Sequence, residues 1–400
     1  RFRPGSAEYE PDLRFCRNQR PVMKEHKNAI TLAKGFKSQA IAAGIKKSGG
    51  LDLALIYSEV PASACGMFTK NKFAAAPVEL CREHLKLKKA QVIVVNSGNA
   101  NCYTGKPGMD TAKNTARLSA ELLRIDKKMV LVASTGIIGR PLDFSRIKKA
   151  LPFLVSSLDR DSGNKTAQAI MTTDTKSKAL TLELEISGKK VIIGAIAKGA
   201  GMIAPDMATM LCFITTDAAI EYPALKEALK QAVEDSFNMI TIDGCMSTND
   251  SVIILANGLA ENRKVRLGAK DFSKFKTALS EICLGLAKMI IRDAEGAGKF
   301  ITIQVSGAKD DLQAKRAALA VANSNLFKTA VYGGGSNRGR IVAAVGASGV
   351  AAREKIKIEG DSFQKKDIIV KIDLRVGRGK AVVYTSDLTP EYIRINAGYN

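Results

Sequence analysis

Residues 180–197, LTLELEISGKKVIIGAIA, constrain the fold more than any other stretch of the chain. Apolar and polar positions alternate on both sides of Ser187-Gly188, the two-residue period of half-buried strands joined by a hairpin turn. Strand patterns recur at 52–60, 90–101, 129–139, 301–308, 367–374 and 380–388. Between them lie runs with helical spacing: 109–125 with Asp110 as its cap, 223–237 with Pro223 in its first turn, 272–294 and 310–324. The two kinds of element do not alternate as strict βαβ units. The order predicts an α/β protein, layered, with substantial antiparallel sheet.

Four hundred residues, 46% of them hydrophobic, can fill two or more cores. No window approaches 18 uninterrupted apolar residues, so no membrane span is expected. The formal net charge of +22 raises a nucleic-acid reading. The lysines are spread along the chain, however, with no aromatic-interleaved RNA motif, which favours a solvated basic surface and an acidic substrate. A salt-dependent shift of nucleic-acid probes would be the mark of the other class. The seven cysteines, at 16, 65, 81, 102, 212, 245 and 283, include no CxxC pair, and several lie in apolar runs. They read as reduced, buried thiols of a cytoplasmic protein with no zinc spacing. Residues 1–22 have neither a structural period nor the apolar core of a signal peptide. They are expected to be a disordered or non-native extension, with the folded part starting near Met23.

Catalysis is narrowed by what is scarce. Histidine occurs twice, at His26 near the ragged start and at His84 in the charged stretch CREHLKLKK, and both read as surface residues. Ser-His-Asp or Cys-His chemistry and a histidine-held metal are correspondingly disfavoured. The glycine-rich loops YGGGSNRGR (332–340) and VGRGKA (376–381) lack the spacing of a phosphate-binding loop and read as turns. An enzyme without usable histidine can take its base from the nucleophile's own α-amine, whose pKa lies near ~8. That requires a threonine that becomes a chain terminus, as in Thr–N-terminal-amine catalysis. KGAGMIAPDMATMLCFITTDA (198–218) offers Thr209 behind a kinked, uncharged approach, preceded by the small Ala208. On pattern alone, threonine in an apolar strand is packing.

The same stretch closely resembles the signature of the ornithine acetyltransferase family, also called glutamate N-acetyltransferases, of arginine biosynthesis. The resemblance extends in family order through 34–71, VNSGNANCYTG (95–105), ASTGIIGR (133–140), AIMTTDT (169–175), TIDGCMSTNDSVIILANG (241–258), RDAEGAGKF (292–300), 328–349 and YTSDLTPEYIRINAGY (384–399). It implies a layered α/β sandwich with mixed, largely antiparallel sheets, of the self-cleaving N-terminal-nucleophile type. It implies cleavage between Ala208 and Thr209 into an α chain, 23–208, and a β chain, 209–400, that share one folded unit. Thr209 would take an acetyl group from N2-acetylornithine and pass it to glutamate, some members also using acetyl-CoA, in an α2β2 assembly without other cofactor or metal. By the same resemblance Thr135 and Gly136 match an oxyanion-hole pair. Thr172, Lys198 and Thr209 match substrate-contacting positions, Lys198 being a fit partner for a carboxylate. Glu295 matches the acid that meets the substrate's cationic end, and Asn396 a C-terminal binding residue. The sequence departs from the family pattern at Cys245, where aspartate is usual, and in GGGSNRGR, which lacks a tryptophan. It also stops at Asn400, short of a usual hydroxyl residue. A second enzymatic reading is an N-terminal-threonine amidohydrolase or aminopeptidase, which would release the acyl group to water.

Overall fold

The computed structural model describes residues 22–204 and 210–398. The terminal extension 1–21 and the Ala208–Thr209 bond lie outside the described residues. Thirteen strands are described: β1 (Val22–Glu25), β2 (Phe36–Ile41), β3 (Leu53–Phe68), β4 (Lys89–Asn99), β5 (Val130–Ile137), β6 (Lys178–Ile186), β7 (Lys189–Lys198), β8 (Leu211–Thr216), β9 (Ser251–Ala256), β10 (Phe300–Ala308), β11 (Lys357–Gly360), β12 (Asp367–Asp373) and β13 (Gly379–Ser386). Nine form one sheet in the order β1-β6-β7-β8-β9-β3-β4-β5, with β2 added beside β3. The other four form a second sheet, β11-β12-β10-β13. Most pairs are antiparallel; β4–β5, β8–β9 and β10–β12 are parallel. The chain is thus an α/β protein with mixed sheets.

The hairpin signal is realised as β6 and β7, joined by Ser187 and Gly188 at φ +50° and +73°. The left-handed backbone of both residues is what a tight hairpin turn demands. Strand β3 is longer than its sequence pattern. Its first half pairs with β2 and β4, and its second half, beyond Pro61, pairs with β9.

Alternation decides the layers. In β8, Cys212 and Ile214 join the core under the helices Tyr222–Glu234 and Lys270–Arg292, while Leu211 and Phe213 face the core on the other side. Val252 and Ile254 of β9 divide from Ile253 and Leu255 in the same way. The centre of the large sheet is therefore buried on both faces, which is why these strands read as continuous apolar runs. The far face is covered by the helices Ala76–His84, Gly105–Leu123, Phe144–Ser156 and Gly163–Ala169. The smaller sheet packs its own core against the helices Asp311–Ala322, Asn325–Gly333 and Arg338–Ala347.

Three expectations are corrected. The helix Gly105–Leu123 begins four residues earlier than 109, with Thr104 at its N-cap position, so Asp110 lies inside the helix and caps nothing. His84 is buried, 7% exposed, because it shares a face with Cys81, Leu80 and Pro77, three, four and seven residues before it. Its Nδ1 lies 2.7 Å from the Val130 carbonyl, an approach that places the ring proton on that nitrogen. Cys245 is exposed, unlike Cys65, Cys81, Cys102, Cys212 and Cys283, which are buried.

Lys328 is buried in the small unit, its Nζ donating to Thr385 Oγ1 at 3.1 Å and the Ser386 carbonyl at 2.6 Å. Burial lowers its pKa to about 8 against the opposing pull of Asp243 and Asp387. A lysine depressed in the folded state binds fewer protons there than in the unfolded chain between pH 8 and about 10.5, so stability rises with pH across that window. The span is about 3 kcal/mol. In denaturant titrations, Lys328→Met is expected to lack this gain: the wild-type-minus-variant difference should grow from pH 8 to pH 10. A difference that stays flat refutes the buried cation.

Candidate active site

The parallel pair β4–β5 ends in two glycine-bearing segments side by side, Ser97-Gly98-Asn99 and Thr135-Gly136-Ile137. Gly136 has φ +131°, and a Cβ there would lie 2.4 Å from the Gly98 carbonyl carbon, so no other residue fits. This close approach brings the Thr135 hydroxyl and the Gly136 backbone to one edge of a cleft. Thr135 itself is buried.

Strand β7 ends at Lys198, which is 2% exposed. Its Nζ donates to Thr172 Oγ1 at 2.7 Å and lies 3.2 Å from Thr135 Oγ1. Burial lowers the Lys198 pKa, and the carboxylates of Asp174, Asp250 and Glu295 oppose that shift. An ammonium has three N–H donors, so two bonds to hydroxyls leave one for a substrate oxygen.

Behind Lys198 lies a buried charge cluster. Asp174 Oδ1 accepts from Lys178 Nζ and from the Gly199 N–H, both at 2.7 Å, and its Oδ2 accepts from the Thr172 N–H at 3.1 Å. Burial disfavours the carboxylate, but the Lys198 and Lys178 charges and these hydrogen bonds win, holding its pKa at about 2. Lys178 Nζ also donates to Asp293 Oδ2 at 2.6 Å. Asp174 therefore fixes both Thr172, through its backbone, and the start of the segment that leaves β7.

That segment is anchored on its way out. Asp243 accepts from the N–H groups of Met202 at 2.6 Å and Ile203 at 2.9 Å, and the Glu295 N–H donates to the Ala200 carbonyl at 2.8 Å. A Cβ on Gly201 would sit 2.3 Å from the Glu295 carboxylate, so glycine there is what lets Glu295 reach the cleft. Asn396, on the C-terminal helix Pro390–Ala397, donates to Glu295 Oε2 at 2.7 Å. Where the chain is again described, the Met210 N–H donates to Asp250 Oδ1 at 2.9 Å. Asp250 is fully buried, and desolvation raises its pKa well above the ordinary range. The neighbouring Asn249 donates to the carbonyls of Ala100 and Ser134, at 2.6 and 2.8 Å, and so ties β9 to β5 beside Thr135.

Thr135, Gly136, Thr172, Lys198, Glu295 and Asn396 all line this one cleft. They come from 262 positions of sequence and five elements or their ends. Thr209 and Ala208 are outside the described residues; Met210, bonded to Thr209, is held by Asp250. Sequence reasoning quoted MTTDT and STNDS but gave no task to Asp174, Asn249 or Asp250. A carboxylate directly before or after hydroxyl residues in two such segments was the available signal. Among the described residues there is no cluster of three or more His, Cys, Asp or Glu side chains placed to hold a metal ion. No helix among them is long and apolar enough to cross a membrane.

Comparison with known proteins gives this arrangement a context. The arginine biosynthesis bifunctional protein ArgJ of Geobacter sulfurreducens is 45% identical over 92% of this chain and 99% of its own length. A glutamate N-acetyltransferase of Methanocaldococcus jannaschii is 44% identical over 92% of this chain and 98% of its own length. Among solved structures, the ornithine acetyltransferase of Mycobacterium tuberculosis complexed with ornithine is 34% identical over 46% of this chain and 98% of that chain, with a TM-score of 0.43. The ArgJ family profile matches residues 37–364, and with these relatives it establishes that the chain belongs to the ArgJ family of acyltransferases.

Proposed function

We propose that the chain is a self-cleaving acetyltransferase that moves an acetyl group from N2-acetylornithine to glutamate, giving ornithine and N-acetylglutamate in arginine biosynthesis. The observation that carries this reading is the bonding of Lys198 to both Thr135 and Thr172 in the cleft that Glu295 and Asn396 share. Family membership and the names of the relatives support it. Cleavage at Ala208–Thr209 would yield the chains 23–208 and 209–400, paired as α2β2 in the cytoplasm. The word bifunctional in the relatives' names accords with acetyl-CoA as a second donor.

Each group then has a task. The α-amine of Thr209 takes the proton from Oγ as Oγ attacks the acetyl carbonyl carbon. The oxygen that becomes negative accepts from the Thr135 hydroxyl and the Gly136 N–H. Because Lys198 donates to Thr135 Oγ1, the threonine's own proton is free to point at that oxygen. Collapse breaks the C–N bond of the amide, and the amine returns its proton to the departing ornithine. Glutamate's amino group next attacks the acetyl ester, and Thr209 Oγ leaves with a proton. Glu295 faces the cationic side chain of ornithine, and the remaining N–H of Lys198 takes a substrate carboxylate.

Incubation with acetylornithine, with and without glutamate, tests the reading. Ornithine release should require glutamate for turnover. Omitting glutamate should leave one acetyl on the chain that begins at Thr209, seen by intact mass. Equal turnover without glutamate would instead favour the amidohydrolase or aminopeptidase reading.

A further inference from the structure

The C-terminal helix Pro390–Ala397, which carries Asn396, has no fully buried residue. Polar contacts therefore do most to set its place. At its start, Thr389 Oγ1 donates to the Gly296 carbonyl at 2.7 Å and accepts from the Tyr392 N–H at 3.3 Å. Gly296, at φ +66°, permits this approach, since a Cβ there would lie 2.7 Å from the Tyr392 nitrogen. At its middle, the partly buried Tyr392 ring packs on the core shared with the helix Lys270–Arg292, and its Oη donates to Asp243 Oδ2 at 3.1 Å. At its end, Asn396 reaches Glu295.

Asp243 is a fixed post. Its Oδ2 also accepts from the Met202 N–H, and its Oδ1 accepts from the N–H groups of Ile203 at 2.9 Å and Cys245 at 3.1 Å. Four donors fill the capacity of one carboxylate. Burial and the Asp243 charge raise the Tyr392 pKa, so its hydroxyl stays a donor at any ordinary assay pH. The segment that leaves β7 and the C-terminal helix thus hang from the same side chain.

Asn396 Nδ2 donates twice, to Glu295 Oε2 at 2.7 Å and to the Tyr392 carbonyl at 2.9 Å. With both N–H groups spent on the protein, what this amide has left for a ligand is Oδ1, an acceptor. Glu295 and Asn396 together therefore offer acceptors only, the right set for an ammonium and the wrong one for a carboxylate. Tyr392 sets that orientation twice, since its carbonyl takes one N–H of Asn396 and its hydroxyl fixes the helix on Asp243.

We propose that Tyr392 is a specificity-determining positioning residue: moored to Asp243, it holds the helix so that Asn396 turns its oxygen, beside the Glu295 carboxylate, to the cationic end of the amine-bearing substrate. Recognition of the acceptor glutamate does not depend on it. The identity of the two substrates rests on the acetyl-transfer reading.

Steady-state transfer with both substrates varied tests this on wild type, Tyr392→Phe, Asn396→Ala and the double variant. Phenylalanine keeps the ring packing and deletes only the hydroxyl. Tyr392→Phe should raise the KM for acetylornithine at least about fivefold, with kcat and the KM for glutamate changed less than about twofold. The double variant should be no more than about twofold worse than the worse single, because Tyr392 acts through Asn396. Calorimetry with ornithine as probe should show at least about fivefold weaker binding by Tyr392→Phe. An unchanged KM for acetylornithine, an equal rise in both KM values, or effects that multiply in the double variant overturn the assignment, the last two marking a general loosening of the fold. Absence of transfer by wild type would overturn the functional reading instead, and ornithine binding would then decide the role of Tyr392 by itself.

Discussion

Thr209→Ala is expected to run as one full-length polypeptide on a denaturing gel and to transfer no acetyl group, its activity at least ~10⁴-fold below wild type. Two separate losses converge on this outcome. Without Oγ there is no atom to attack the preceding carbonyl, so the Ala208–Thr209 bond persists. While it persists, the nitrogen of residue 209 is an amide that cannot serve as a base. Thr209→Ser separates the two from a folding defect, since it keeps the hydroxyl and should retain cleavage and measurable transfer. The surroundings are built for exchange at this point. Met210 is tied to Asp250, Gly199 to Asp174, and Met202 and Ile203 to Asp243, so the chain on either side of 205–209 is fixed by buried or part-buried carboxylates. Two bands from the alanine variant, or transfer within tenfold of wild type, would remove Thr209 as the nucleophile.

The elements that sequence reading located most firmly are those whose signal is local. The β6–β7 hairpin carries its alternation and its turn within 21 residues, and the helix Tyr222–Glu234 carries its first-turn proline and apolar stripe. His84 was misjudged because the charge of its neighbours Arg82 and Glu83 says nothing about its helical face, whereas spacing to Pro77 and Cys81 does. The cleft itself was legible only by resemblance. Thr135, Lys198, Glu295 and Asn396 are far apart in sequence, and nothing local to any of them predicts that their ends of β5, β7 and two helices converge. Least legible were the supports. Asp174, Asn249 and Asp250 matter through partners far along the chain: Asp174 accepts from Gly199, 25 residues away, Asp250 from Met210, 40 away, and Asn249 donates to the Ala100 carbonyl, 149 away. Such roles depend on burial, which makes a carboxylate costly unless it is paired or protonated, and burial is a property of the assembled sheet.

Asp174→Asn should be the most damaging substitution outside the reacting atoms, lowering stability by about 3–5 kcal/mol at pH 7. The variant keeps the shape but removes the negative charge between two buried ammoniums. Lys178 retains Asp293 at 2.6 Å, while Lys198 is left with two hydroxyls and more distant carboxylates. The Asp174 carboxyl is held below its unfolded value, so its contribution is complete above pH ~4 and is lost as pH falls through about 2. The gap between wild type and variant in urea denaturation should therefore be widest near neutrality and narrow by about 2 kcal/mol on acidification to pH 2. Transfer should fall as well, because an unpaired Lys198 is driven toward its neutral form, which gives up its donation to Thr135 and its attraction for a carboxylate. Raising the assay pH should deepen that defect in the variant more than in wild type. A gap independent of pH, or one below about 1 kcal/mol at neutrality, would mean that Asp174 fills space rather than balancing charge, and that Lys198 owes its protonation to Glu295 and its two hydroxyl partners instead.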